Sequence, residues 1–304
     1  MTSAMNPYEL LRIMHNPAID TLIRNSPNPI TNPNDDPDTK DVNSNPINKI
    51  KIRNFKPPQS QQNHEQLFPM ILYSTIFYNF SKSMGNQLST KVLSVKYRLA
   101  SEHRLPASYE DVVESLIWVQ KQVLDTMNGE PWMRNYGDFS RCFVMWCSAG
   151  GNIAYQCFSG ASELDLTPIT ICGLILNQPH YGGVERTSSE LRLVNDERVS
   201  LVVNDLLWEL ALPIGVNRDL VYCNPFIDEN LERKLRFISR CLVAFSKRDP
   251  LVVRDIEFAK MLEGKCVEIM NWIEESGFYG MAHTDQNKVE QLFKVIKDFI
   301  FSEV

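Results

Sequence analysis

The chain lacks a surplus of positive charge: 31 lysines and arginines stand against 37 aspartates and glutamates, a formal net charge of −6. That balance argues against a nucleic-acid backbone or an anionic membrane as the main partner. It also lacks any apolar run near the roughly 20 residues that cross a bilayer, and its start shows no basic region followed by an apolar core. A soluble, cytoplasmic protein with no membrane partner is expected. The seven cysteines are odd in number and none forms a C-x-x-C pair. Cys142, Cys147, Cys172 and Cys241 sit in apolar runs, which reads as buried thiols rather than a disulfide framework. There is no phosphate loop of the GKS/T type, no HExxH and no internal repeat. His103 beside Glu102, and His180 alone, are of the kind that more often make hydrogen bonds than ligate metals, so neither a metal nor a cofactor is expected. Of the 304 residues, 43% are apolar, enough for a sizeable core.

The patterning then divides the chain. Asn6 to Met14 reads as a short amphipathic helix, with Asn6 as its cap and Pro7 at its first position. Stretches dense in Asn, Asp and Pro follow (Ser26-Pro27-Asn28-Pro29, Asn32 to Pro37, Asn43 to Pro46), which favour turns and extended backbone. Lys49 to Phe55 alternates as a half-exposed strand does. Residues 1–64 are therefore expected to form an N-terminal lid or extended segment, and residues 65–304 a single domain. Within 65–304, apolar strand-like runs near 67–73, 92–97, 141–147, 169–176, 240–246 and 267–273 alternate with helical patterns near 107–125, 253–262 and 285–301. That rhythm implies an α/β class fold, a mostly parallel central sheet with helices on both faces. From about 183 to 222 the rhythm breaks into an amphipathic stretch with Trp208, read as a helical insertion capping the sheet.

The run Cys142-Phe143-Val144-Met145-Trp146-Cys147-Ser148-Ala149-Gly150-Gly151-Asn152 passes from a strand through a serine into a helix. A serine on such a sharp turn is how an α/β-hydrolase presents its nucleophile, usually within G-x-S-x-G. Here Trp146 stands where the first glycine would be. The helix start offers backbone N–H groups, Ala149's first, to a developing oxyanion.

With Asn6-Pro7-Tyr8-Glu9-Leu10-Leu11, Tyr97-Arg98-Leu99-Ala100-Ser101-Glu102-His103-Arg104-Leu105-Pro106-Ala107, Ser148-Ala149-Gly150-Gly151-Asn152, Leu176-Asn177-Gln178-Pro179 and Asp249-Pro250-Leu251 in that order, the chain resembles plant carboxylesterases. These form the hormone-sensitive-lipase branch of the α/β-hydrolases, which also contains the gibberellin receptors. The resemblance implies the α/β-hydrolase fold, a lid from the N-terminal segment and a site for a small organic molecule. It also implies Ser148 as nucleophile, Asp249 as acid and a histidine in a G-F-H-G turn. That turn reads Gly277-Phe278-Tyr279-Gly280, with Tyr279 at the histidine position. Tyrosine, with a reference pKa of about 10, is a neutral donor rather than a base; His283 is the one nearby substitute. The family's H-G-G-G loop is replaced by Ser74-Thr75-Ile76-Phe77-Tyr78-Asn79, without glycine. Ser74, Thr75, Ala149 and Trp146 are the candidate oxyanion and pocket residues. Trp146 reads either as compensatory packing or as pocket lining.

The expected protein is carboxylesterase-like but without normal hydrolytic machinery. It acts on or binds a small molecule of plant specialised metabolism through Ser148 and Tyr279. In this it is similar to the carboxylesterase-like cyclases of alkaloid biosynthesis, which also carry tyrosine at the histidine position. A residual ester hydrolase, a receptor-like binder and an inactive paralogue are the alternatives.

Overall fold

Runs of consecutive apolar residues make strands buried on both faces, and the chain has several in its middle. The computed structural model describes residues 13–16, 21–24, 36–57, 68–72, 78–161, 164–235, 238–281 and 285–302. Its elements up to the central serine are β1 (Ile13–Asn16), β2 (Thr21–Arg24), β3 (Thr39–Asn45), β4 (Ile50–Phe55), β5 (Phe68–Leu72), α1 (Tyr78–Leu88), β6 (Val92–Lys96), α2 (Ala107–Leu124), α3 (Pro131–Tyr136) and β7 (Cys142–Ser148). After it come α4 (Ala149–Ala161), β8 (Ile171–Pro179), α5 (Ser188–Arg192), α6 (Leu201–Ala211), α7 (Leu231–Leu235), β9 (Arg240–Arg248), α8 (Val252–Glu263), β10 (Glu268–Phe278) and α9 (Gln286–Phe301).

Eight strands form one sheet in the order β10-β9-β8-β7-β5-β6-β4-β3, and β1 with β2 makes a separate hairpin. From β10 to β6 every pairing is parallel; β4 and β3 are antiparallel additions. β7 is buried along its length up to the half-buried Ser148, as a central parallel strand must be. β10, at the edge, alternates between exposed and covered residues.

Side chains two apart share a face of a strand, so Phe143 and Trp146 of β7 point to opposite faces. Phe143 meets Phe299 of α9 at 6.0 Å, and α9 in turn packs on α1 through Phe80 and Phe293 at 4.9 Å. Trp146 meets α4 on the other face. α9 presents Val289, Leu292, Phe293, Ile296, Phe299 and Ile300 as one apolar stripe, and Asp285 caps it by accepting from the amides of Asn287 and Lys288.

Two sequence expectations change here. Residues 39–55, placed in an N-terminal lid, supply β3 and β4 to the main sheet, so the 64/65 boundary divides a continuous hydrogen-bonded layer. β4 is mostly buried rather than half-exposed, because it lies between β6 and β3. The helix expected from Asn6 to Met14 falls largely outside the described residues; Ile13 and Met14 themselves are in β1. Between residues 183 and 222 lie the helices α5 and α6. Among the described residues no helix is long and apolar enough to cross a membrane.

The sheet order also fixes where a ligand can sit. The chain leaves β5 for β6 on one side and returns to β7 on the other, so the connections diverge above the β5/β7 pair. Open α/β sheets bind ligands in that crevice, at the carboxyl ends of the strands.

Candidate functional site

Ser148 ends β7 in that crevice and α4 begins at the next residue. Its φ is 55°, in the left-handed region that non-glycine residues enter at a cost of about 1–3 kcal/mol. Such a turn lets α4 press back on the strand it came from. A Cβ on Gly150 would fall inside the Trp146 indole, and one on Gly151 would come within 3.0 Å of Pro179. The two glycines after Ser148-Ala149 are therefore spaces for Trp146 and Pro179. Trp146 is 3% exposed, packed beneath the helix start. Ala149 is exposed at the first position of α4, where the N–H has no intrahelical acceptor.

Tyr279 reaches Ser148 from the far end of the sheet. β10 slips register against β9 between Glu274 and Phe278, a bulge that re-aims the strand end. Gly277 permits it, since a Cβ there would meet Glu274, Met281 and Ser246. Gly280, at φ 72°, completes the turn. The Tyr279 hydroxyl is hydrogen-bonded to Ser148 Oγ. Burial pushes the phenol well above its ordinary range and the Asp249 charge adds to this, against the opposing pull of the Ser148 hydrogen bond. Tyr279 is thus a neutral hydroxyl at physiological pH.

Asp249 follows β9 and is fully buried. Its Oδ1 accepts from the Leu251 amide at 2.8 Å and its Oδ2 from Gln178 Nε2 at 2.9 Å. No hydrogen bond joins it to Tyr279. Burial raises its pKa, with Asp196 adding, against the Leu251 and Gln178 hydrogen bonds. Asp255 of α8 is also fully buried, neither of its oxygens has a hydrogen-bond partner, and burial together with the Asp249 charge holds its carboxyl well above the usual range. A proton on Asp255 is the low-energy state of that pair.

Of the sequence candidates, Ser148 and Tyr279 are in direct contact, and Asp249 is joined to their turn through Gln178. Ser74, Thr75 and His283 lie outside the described residues. Sequence reasoning missed Gln178 as a site residue, although it lies inside the Leu176-Asn177-Gln178-Pro179 block. Its Nε2 also approaches Ser246 Oγ at 3.1 Å and Phe278 O at 3.0 Å, and its Oε1 accepts from the Gly280 amide at 2.9 Å. Cys147, next to the serine, is no rival nucleophile, because burial raises its thiol to about 12.

The histidines of the metal alternative are structural or peripheral. His180 is buried, faces Asn204 Oδ1 at 2.5 Å, lies against Trp208 at 4.9 Å and is kept neutral by burial. His103 and Glu102 are exposed. Among the described residues no group of three or more His, Cys, Asp or Glu could hold a metal ion. All seven cysteines are free, five of them buried.

The cap is fastened to the site's own loops. Ser189 Oγ donates to Pro250 O at 2.7 Å, next to Asp249, and the buried Arg254–Glu190 pair closes at 3.1 Å. Arg104 and the Leu105 amide bind carbonyls at the end of α6, at 2.6 Å to Leu212 O and 2.8 Å to Ala211 O. Arg198 lies 3.7 Å over the Phe278 ring. The Tyr97–Ala107 block thus joins β6 to the cap, and its Arg98 holds the buried Asp111 at 2.6 Å. Together these contacts give a hydroxyl pair at a helix N-terminus, buried acids beside it and α5 and α6 tied to the surrounding loops. Such a site can donate protons or hydrogen bonds to an oxygen that gains negative charge.

Known proteins share this architecture. A family model described as the alpha/beta hydrolase fold matches residues 74–280. A 3-O-acetylpapaveroxine carboxylesterase of Papaver somniferum is 44% identical over 313 aligned positions, covering 97% of this chain and 99% of that protein. The gibberellin receptor of Oryza sativa subsp. japonica is 32% identical over 231 positions, covering 75% of this chain and 62% of the receptor. Among solved structures, an esterase of Pyrobaculum calidifontis has a similar fold, with a TM-score of 0.71 at 18% identity over 90% of this chain and 85% of that one.

Proposed function

Because the chain belongs to the α/β-hydrolase family and, within it, to the plant carboxylesterases, we propose that it acts on a small organic molecule of plant specialised metabolism by proton transfer through Ser148 and Tyr279. Acyl-serine hydrolysis is not its reaction. The observation that carries this is the hydrogen bond between the two hydroxyls. In a hydrolase the serine's partner removes its proton, which an imidazole does near neutral pH. A phenol held above its ordinary pKa does not. It donates instead, and its acidity suits a strongly basic oxygen such as an enolate or alkoxide formed during ring closure or tautomerisation. Ser148 Oγ relays that proton, giving its own hydrogen to the substrate oxygen as it takes the one from Tyr279, and the Ala149 N–H adds a donor at the helix start. The relative named a 3-O-acetylpapaveroxine carboxylesterase supports a small plant metabolite as the substrate.

Ester hydrolysis is the second reading, favoured by the strained serine turn and the names of the relatives. The test has two parts. Turnover of short-chain p-nitrophenyl esters is compared with Ser148→Ala, and a plant metabolite extract is screened by thermal shift. The expected result is no ester turnover above the Ser148→Ala level, together with a stabilising metabolite that the chain converts. Tyr279→Phe keeps the thermal shift and loses the conversion. Ester turnover that depends on Ser148 defeats the proposal, and binding without conversion leaves a receptor-type role.

A further inference from the structure

A histidine in a catalytic triad is held at two points, one ring nitrogen on the serine and the other on the acid. Tyrosine has one polar side-chain atom, and Tyr279 spends it on Ser148. Asp249 does not reach the ring, so something else must keep the hydroxyl on the serine.

The geometry assigns that role to Gln178, as the positioning residue of the Ser148–Tyr279 pair. Its single amide group binds the backbone on both sides of Tyr279. Nε2 donates to the Phe278 carbonyl at 3.0 Å, and Oε1 accepts from the Gly280 N–H at 2.9 Å. Nε2 also donates to Asp249 Oδ2 at 2.9 Å. Only a side chain that both donates and accepts can hold the carbonyl and the N–H of one turn at once. Gln178 is buried and sits at φ 47°, which turns it off the end of β8. There β8 pairs with β7 through Pro179 opposite Ser148. The residue that clamps the Tyr279 turn is therefore mounted beside the serine itself. A backbone clamp takes the place of the acid-to-base hydrogen bond, and Asp249 becomes an anchor for the clamp.

The inference rests on the reading that Ser148 and Tyr279 act as a pair, and its test uses no catalysis, so the two fail separately. The full chain is labelled with 3-fluorotyrosine and the Tyr279 ¹⁹F resonance is assigned by its loss in Tyr279→Phe. In Gln178→Leu this resonance is expected to move to the position it takes in Ser148→Ala, while those of the buried Tyr155 and Tyr181 stay in place. Gln178→Glu keeps the acceptor for Gly280 and regains the donor only when its carboxyl is protonated. Its Tyr279 resonance is expected to be native-like at pH 5 and to shift toward that of Gln178→Leu at pH 8, a pH dependence that a mere packing role does not produce. In the unaltered chain the Gly280 amide is expected to exchange with solvent at least tenfold more slowly than an unprotected turn amide. A Tyr279 resonance unmoved in folded Gln178→Leu, or one independent of pH in Gln178→Glu, overturns the assignment. If neither variant folds, fast exchange at Gly280 in the unaltered chain overturns it.

Discussion

Replacing an imidazole by a phenol changes which partner of Ser148 carries the proton. The phenol of Tyr279 is raised by burial and stays protonated, so Ser148 faces a donor. Tyr279→His restores a group that accepts a proton near pH 7, and base catalysis of this kind is worth about 10²–10⁴-fold. The expected outcome is a gain of at least about tenfold in the rate at which a fluorophosphonate probe labels Ser148; no gain counts against the assignment of residue 279 as the missing base. Asp255 is the second residue whose state matters. Both of its oxygens are buried without partners, and an unsatisfied buried polar group costs about 1–3 kcal/mol. Asp255→Leu is expected to stabilise the fold by a similar amount in urea titration. Because the folded pKa is raised, the carboxyl's contribution is fully present below the unfolded pKa and is lost as pH rises. The gain from Asp255→Leu should therefore grow with pH from about 4 upward. Tyr279 was legible in the sequence because its turn keeps both glycines around the changed position. Gln178 was not, because its partners are 68 to 102 residues away and nothing local marks them.

At the scale of elements, the strand–Ser148–helix unit is fitted around Trp146. Its indole occupies the space that a side chain at Gly150 would need. Gly150→Ala is expected to destabilise the protein by about 2–4 kcal/mol through overpacking at a helix start. Trp146→Gly in the same chain should recover part of that loss, a coupling of about 1–3 kcal/mol in a double-mutant cycle. Additive effects would mean that the indole and the helix do not compete for the space. The strands β6 to β9 were readable as apolar runs because parallel strands covered on both faces have little polar alternation. β3 was not, since Thr39-Lys40-Asp41-Val42-Asn43-Ser44-Asn45 is polar but for Val42 and joins the sheet by backbone pairing to β4. Arg53 of β4 shows the same limit. It is buried in the sheet and paired with Asp41 of β3 at 2.6 Å, a partner that no local pattern reveals.

For the whole molecule, the proposed reaction turns a carboxylesterase scaffold from nucleophilic attack to proton transfer, and the scaffold's stability has its own pH signature. Lys91 is fully buried, and burial lowers its ammonium to about 7 while Glu130 pulls the other way. An unfolded lysine holds its proton up to about 10.5. Between pH 7 and 10.5 the unfolded state therefore binds the extra proton at this residue, and the Lys91 contribution to folding stability rises with pH, by at most about 1.4 kcal/mol per unit. Lys91→Met should flatten that rise in denaturant titrations at pH 7, 8 and 9, and an unchanged slope assigns the rise elsewhere. The most direct test of the central claim is labelling of the unaltered full chain by a fluorophosphonate at pH 7.5, read by intact mass beside Ser148→Ala. The expected result is no adduct above the Ser148→Ala level over an hour. A stoichiometric adduct on Ser148 within minutes would show an activated nucleophile and contradict the claim.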